Sequence, residues 1–302
     1  MRIGVMLGGG RRAPGLNELI DRTRDLEARG FHTLWLPGVF GLDPVVAAAV
    51  IGQATDRIEI GTAVVPTQPR HPAALAQQVL TAAIACGGRF TLGIGLSHPA
   101  VIEGLLGLSY NRRASHMREY LEVLIPLLAG ERVEYAGDEY RVALGLALPE
   151  APPVPFLIAA LGERMLEIAG SRAAGTILWC TGPRAIEKHI APKVRAAASE
   201  AGRPAPRIVA GMHIVLTSQK EAARARVAKA MAFYGQMPSY RAMLEIEGTD
   251  GLEDMALFGD ERALDTGLDR LRDLGVSDFE ASVLPLDDGA EERTLRYLET
   301  RL

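Results

Sequence analysis

The chain has 302 residues, of which 48% are hydrophobic and 23% charged, and its net charge is −4. That balance fits a globular protein able to bury a core and argues against a general nucleic-acid or anionic-membrane binder. The start, MRIGVMLGGG, lacks an apolar signal core, and no apolar run approaches the roughly 18 residues of a membrane span, so a cytoplasmic protein is expected.

Eight strands are predicted in order: Arg2–Leu7, Thr33–Leu36, Ile58–Val65, Phe90–Ile94, Val154–Ala159, Thr176–Cys180, Arg207–Leu216 and Val276–Leu284. Most are short continuous apolar runs, as strands buried on both faces should be. Helical spacing fills the gaps. Leu16, Leu19, Ile20 and Leu26 mark a first helix stopped by Gly30, and Leu75, Val79, Ala82 and Ala83 mark another after the third strand. Met117, Tyr120, Leu121, Leu124 and Leu128 precede a stop at Gly130, and Leu264, Leu268, Leu271 and Leu274 precede one at Gly275. With a closing helix over Glu291–Leu302, these units predict an α/β fold, a (β/α)8 TIM barrel, as a single domain over 1–302. An open doubly wound sheet is the other arrangement.

Two connections exceed a plain helix. The first, about 97–153, contains a predicted hairpin of Val133–Tyr135 and Glu139–Val142 around Gly137-Asp138. The second, about 217–275, contains a helix to about Tyr234 and then GQMPSYRAMLEIEG. Long insertions after barrel strands fall on the face that carries chemistry.

Several chemistries find no support. The histidines are scattered, with no H-x-H or H-E-x-x-H, and Cys86 and Cys180 have no ligand spacing, so no metal site is expected. The two thiols read as reduced. No G-x-S-x-G elbow occurs, and Gly93-Ile94-Gly95 continues to His98 where a dinucleotide fingerprint needs a third Gly. Small residues at Ala159-Ala160-Leu161-Gly162, and again at Thr181-Gly182-Pro183, lead from strands into helices. Such turns suit an anion at a helix N-terminus, or are plain tight turns. His98 is the titratable group best placed for catalysis, with hydrogen bonding in its loop as the alternative role. His71, in Arg-His-Pro, reads as a helix cap. Tyr234, Tyr240 and Arg241 lie where a substrate is met or a loop packs.

Six segments in order, GFHTLWLPG, RIEIGTAVVPTQPRHPAALAQQ, GGRFTLGIGLSH, VPFLIAALGERMLEIAG, GTILWCTGP and YGQMPSYRAML, resemble the luciferase-like monooxygenase superfamily across nearly the whole chain. The last two resemble its deazaflavin (coenzyme F420) oxidoreductases more than its flavin enzymes. The resemblance implies a cofactor at the barrel mouth, F420 or alternatively FMN, a small-molecule substrate and a homodimer. It implies a non-prolyl cis peptide at Ala63-Val64, next to Thr62, behind the ring. It implies ring or side-chain contacts at Gly38, Gly95 and His98, and phosphate contacts at Ala159, Ala160, Leu161 and Gly162, with Thr181 and Gly182. One departure stands out. Where several relatives carry an Asp-His pair, this chain reads Leu36-Pro37-Gly38-Val39, with nothing that titrates. Hydride transfer between the deazaflavin and an already activated carbon fits better than alcohol oxidation, with a non-catalytic cofactor binder as the alternative of another class.

Overall fold

The computed structural model describes residues 1–8 and 14–302. Its strands are β1 (Arg2–Met6), β2 (Thr33–Leu36), β3 (Glu59–Thr62), β4 (Val65–Pro66), β5 (Phe90–Gly95), β6 (Val133–Ala136), β7 (Arg141–Leu144), β8 (Phe156–Ala159), β9 (Gly175–Trp179), β10 (Arg207–Leu216), β11 (Leu257–Gly259) and β12 (Asp278–Val283). The helices are α1 (Leu16–Ala28), α2 (Pro44–Gln53), α3 (Pro72–Ala85), α4 (Pro99–Ile102), α5 (Arg113–Leu128), α6 (Glu163–Arg172), α7 (Pro183–Ala185), α8 (Ala191–Glu200), α9 (Lys220–Met231), α10 (Pro238–Glu247), α11 (Glu261–Asp273) and α12 (Ala290–Glu299). The ladder runs β10-β12-β1-β2-β3-β5-β8-β9 and returns through a β9–β10 pairing, which closes a parallel eight-stranded barrel. The fold is the predicted (β/α)8 barrel.

Local chemistry explains the elements. β5, FTLGIG, is buried at every position, as a strand covered on both faces must be. Asp43 caps α2 by accepting the Val45 and Val46 N–H groups at 3.0 Å each, and His71 caps α3 by accepting the Ala73 N–H at 3.2 Å. The predicted stops Gly30, Gly130 and Gly275 all take left-handed backbone, at φ of 91°, 76° and 75°.

The chain divides into two compact units. One comprises 1–7, 28–34 and 160–302. At the N-terminal ends of its strands Arg2 and Arg207 converge on buried Asp278, Arg2 Nε and Arg207 Nη2 each donating at 2.8 Å. Burial alone would raise the Asp278 carboxyl; the guanidinium of Arg207 outweighs it, helped by Ser277 and Arg2, and holds the group below its usual range. The other unit, within 8–27 and 35–159, contains the β6–β7 hairpin in antiparallel register, Val133 opposite Leu144. Glu119 of α5 secures the hairpin turn by accepting the Glu139 N–H at 2.8 Å.

The third predicted strand is not one run. β3 stops at Thr62, the chain bulges, and β4 resumes pairing with β5 at Val65 opposite Ile94. GQMPSYRAMLEIEG folds as a short 3₁₀ turn and helix α10, and β11 adds to the edge of β10. Among the described residues, no helix is long and apolar enough to cross a membrane.

Candidate functional site

In the second unit, the C-terminal ends of β3, β5 and β8 and the turn after β2 meet at the bulge. The Ala63-Val64 peptide is cis. The Ala63 N–H donates to the Leu36 carbonyl at 2.8 Å, and the Thr67 N–H donates to the Gly95 carbonyl at 3.0 Å, so both sides of the bulge are anchored to neighbouring strand ends. Glycines make this approach possible. A Cβ on Gly38 would lie 2.4 Å from the Val64 carbonyl oxygen, and one on Gly95 2.8 Å from Val64 Cγ2 and 3.1 Å from Ala159 Cβ. Gly38, Ala63, Val64, Gly95 and Ala159 therefore form one apolar floor of small residues. All but buried Gly95 are partly exposed.

Thr62 requires a correction. It is fully buried, and its hydroxyl both donates to the Gly93 carbonyl (2.9 Å) and accepts the Gly93 N–H (2.8 Å). Its side chain ties the bulge to β5 and offers nothing to a ligand.

His98 lies just past β5 and opens α4, where its carbonyl accepts the Val101 and Ile102 N–H groups. Tyr110 steadies the turn by donating to the Ser97 carbonyl at 2.7 Å. Burial pushes His98 below the usual histidine range, which favours the neutral ring at pH 7. A neutral imidazole suits hydrogen bonding better than acid catalysis. After β2, Val39 and Phe40 are exposed at 57% and 71%, so the position lacking acid–base groups is apolar.

In the first unit, Ala160 is buried and Leu161 half-buried, while Gly162 is exposed and opens α6 without a side-chain cap. Nothing lies within 4 Å of a Cβ built on Gly162. His189 donates from Nε2 to the Leu161 carbonyl at 2.7 Å, and Glu163 in the first turn is paired with Lys193. This helix start is open. The start after β9 is not, which corrects the expectation for Thr181 and Gly182. Thr181 is buried with its hydroxyl turned to the Trp179 carbonyl, and the amides of Arg184 and Ala185 already donate to the Glu247 carboxylate.

Sequence reasoning misses two groups on the barrel strands of this unit, one buried and one half-buried. Glu280 of β12 is fully buried beside Gly211, where a Cβ would lie 2.6 Å from Glu280 Oε2, and its Oε1 has no hydrogen-bond partner. Burial drives its carboxyl well above the usual range, so it is neutral. His213 of β10 stacks edge-on against Trp179 with ring centroids 5.1 Å apart, and burial pushes it down to about 4. Gly211, paired with Glu280 in the β10–β12 register, leaves room for the carboxyl and is the trace of this arrangement that the sequence carries.

A family model described as luciferase-like monooxygenase matches residues 1–277. Among curated relatives, a 5,10-methylenetetrahydromethanopterin reductase of Methanolobus tindarius is 27% identical over 203 residues, 67% of this chain and 62% of that protein. An F420-dependent glucose-6-phosphate dehydrogenase of Segniliparus rotundus is 30% identical over 225 residues, 68% of this chain and 66% of that protein. The chain thus spans just under two thirds of the length of these relatives. Among solved structures, the coenzyme F420-dependent tetrahydromethanopterin reductase of Methanopyrus kandleri superposes with a TM-score of 0.81 at 20% identity, covering 100% of this chain and 98% of that one. The FMN-bound oxygenating constituent of 3,6-diketocamphane monooxygenase from Pseudomonas putida gives 0.76 at 15% identity, covering 99% and 96%.

Proposed function

The chain belongs to the luciferase-like monooxygenase family, and from that premise we propose that it is an oxidoreductase that transfers hydride between deazaflavin coenzyme F420 and a small organic substrate. The observation that carries this reading is the floor of Gly38, Ala63, Val64, Gly95 and Ala159. It is apolar and free of long side chains, which suits the backing of a planar ring. The F420-dependent glucose-6-phosphate dehydrogenase relative supports deazaflavin over flavin. When bound, the deazaflavin supplies a hydride-carrying C5.

The chain's own residues then position and exclude. The small-residue floor holds the ring, His98 hydrogen-bonds in its neutral form, and the open α6 start at Ala160, Leu161 and Gly162 favours a phosphate through its amides and dipole. With no titratable side chain at Leu36–Val39, the protein contributes orientation and a water-poor wall rather than proton abstraction. We also propose a homodimer, supported by Val46 and Val50, one turn apart on α2 and exposed at 57% and 38%; a monomeric mass by light scattering rejects it.

Anaerobic and aerobic turnover test the reaction. Substrate-dependent oxidation of reduced deazaflavin without oxygen uptake supports the proposal, whereas oxygen uptake driven by reduced FMN assigns the chain to the monooxygenase branch. If His98→Ala leaves the rate and cofactor affinity unchanged, the role given to His98 is wrong.

A further inference from the structure

Two buried acids stand two residues apart on one face of β12, and the fold treats them oppositely. Asp278 is served by Arg2, Arg207 and the Ser277 hydroxyl. Glu280, 1% exposed, has no such company. Among the described residues its Oε1 meets no hydrogen-bond partner, and no neighbouring charge offsets its burial. In the sheet register Glu280 pairs with Gly4 on β1 and Gly211 on β10, and Gly211 pairs in turn with Trp179 on β9. The layer therefore reads Trp179, Gly211, Glu280, Gly4, with glycine on both sides of the carboxyl. A Cβ on Gly211 would lie 2.6 Å from Glu280 Oε2 and 2.9 Å from Trp179 Cε3, so carboxyl and indole share the space above that glycine.

Two residues further along β10, His213 lies on the same face as Gly211, its ring centroid 5.1 Å from that of Trp179. Its Nδ1 is also buried without a partner among the described residues. Exposure begins at this level: His213, its register partner Ser282, and Trp179 are all partly exposed. All of these residues belong to one compact unit. Folded proteins satisfy nearly every buried polar atom, because an unmade hydrogen bond forfeits the solvation of the group. Two such atoms beside one indole point to a bound group that supplies the missing contacts. That group is uncharged. No guanidinium stands at Glu280 to hold an anion, as two do at Asp278, and among the described residues no three His, Cys, Asp or Glu side chains gather to hold a metal ion. Its body is apolar, since Trp179 also borders an apolar core beside Leu161, Tyr234 and Leu286.

We propose that Glu280 and His213 form a binding site for one neutral oxygen atom, the hydroxyl of a small aliphatic alcohol or a water molecule, with Trp179 against the bound group. A neutral carboxyl and a neutral imidazole each offer both a donor and an acceptor. A hydroxyl can complement such a pair, whereas a carboxylate ligand only accepts. The site goes beyond the oxidoreductase reading and does not rest on it.

Two probes test it on the purified protein and on Glu280→Leu, Glu280→Gln and His213→Phe, each first shown to melt cooperatively. Oxygen-17 relaxation dispersion counts long-lived internal waters. 2-Propanol is titrated while the indole N–H resonances of the two tryptophans are followed by NMR, with Trp179→Phe identifying the signal of Trp179. The expected result is a saturable shift of that signal in the wild type, with affinity about tenfold weaker in Glu280→Leu and in His213→Phe. Glu280→Gln, which keeps a donor and an acceptor, should retain most of the affinity. Should Glu280→Leu fail to fold, His213→Phe carries the comparison. A long-lived water that is lost in the same two variants and that the alcohol does not displace supports the site with water as its ligand. Absence of both signals in the wild type overturns the proposal, as does equal affinity in wild type and the folded apolar variants. Tighter binding of acetate than of 2-propanol overturns it too, since the site then selects charge. A wild type that binds no deazaflavin rejects the oxidoreductase reading and leaves these outcomes as they stand.

Discussion

Gly93 has no room for a side chain: a Cβ there would sit 2.0 Å from the Thr62 carbonyl oxygen, a backbone atom that cannot rotate away. Gly93→Ala should therefore push β5 off the bulge and cost about 3 kcal/mol in denaturant unfolding, while Gly162→Ala, in open space, should stay within about 0.5 kcal/mol of wild type. Equal losses would show that crowding at the bulge does not govern the site. The same residues show what a sequence can reveal. Gly38, Gly95, Ala63 and Val64 are reached through the family resemblance, and the floor brings them together. Thr62 joins them only by adjacency in sequence, and hydrogen bonding turns its side chain into the sheet. The roles of Glu247 and Glu280 are illegible in the sequence, because each depends on partners far away in the chain that share no motif with it.

Among elements, the parallel strands are legible because burial on both faces writes a continuous apolar run, and β2 and β10 match their predicted limits. The hairpin and the three glycine stops are legible for local reasons too, since a turn or cap is specified by neighbouring residues. The division of the third strand is not, because IGTAVVP remains apolar through the bulge. Helix α10 also escapes the sequence reading, as its buried residues Tyr240 and Leu244 gain their meaning from the core they join. Capping at α2 provides a test on this scale. Asp43 accepts two amides of α2 and pairs with Arg70, so Asp43→Ala should cost about 1–2 kcal/mol. Asp43→Asn, which keeps the cap acceptor, should recover most of that in thermal melts. No rescue by Asn would mean that the Arg70 pairing, rather than the cap, holds the turn.

For the molecule as a whole, two desolvated groups, buried Glu280 and half-buried His213, pull stability in opposite directions with pH. His213 titrates at about 4 when folded, against 6.5 for an ordinary histidine. The unfolded chain therefore takes up a proton first as pH falls, and about 3 kcal/mol is lost between those limits. Glu280 is raised, so the unfolded chain loses its proton first, and stability declines as pH rises above the ordinary glutamate value of 4.5. Glu280→Gln should accordingly stabilise the protein more at pH ~8 than at pH ~5, and His213→Gln should flatten the acid side of the curve; melting curves across pH that ignore both substitutions would contradict the neutral assignments. The most direct measurement of the central proposal is a fluorescence titration of the purified protein with oxidised coenzyme F420 and, separately, FMN. Saturable, tight binding of the deazaflavin with weak or absent FMN binding is the predicted result. Preference for FMN, or binding of neither, would contradict it.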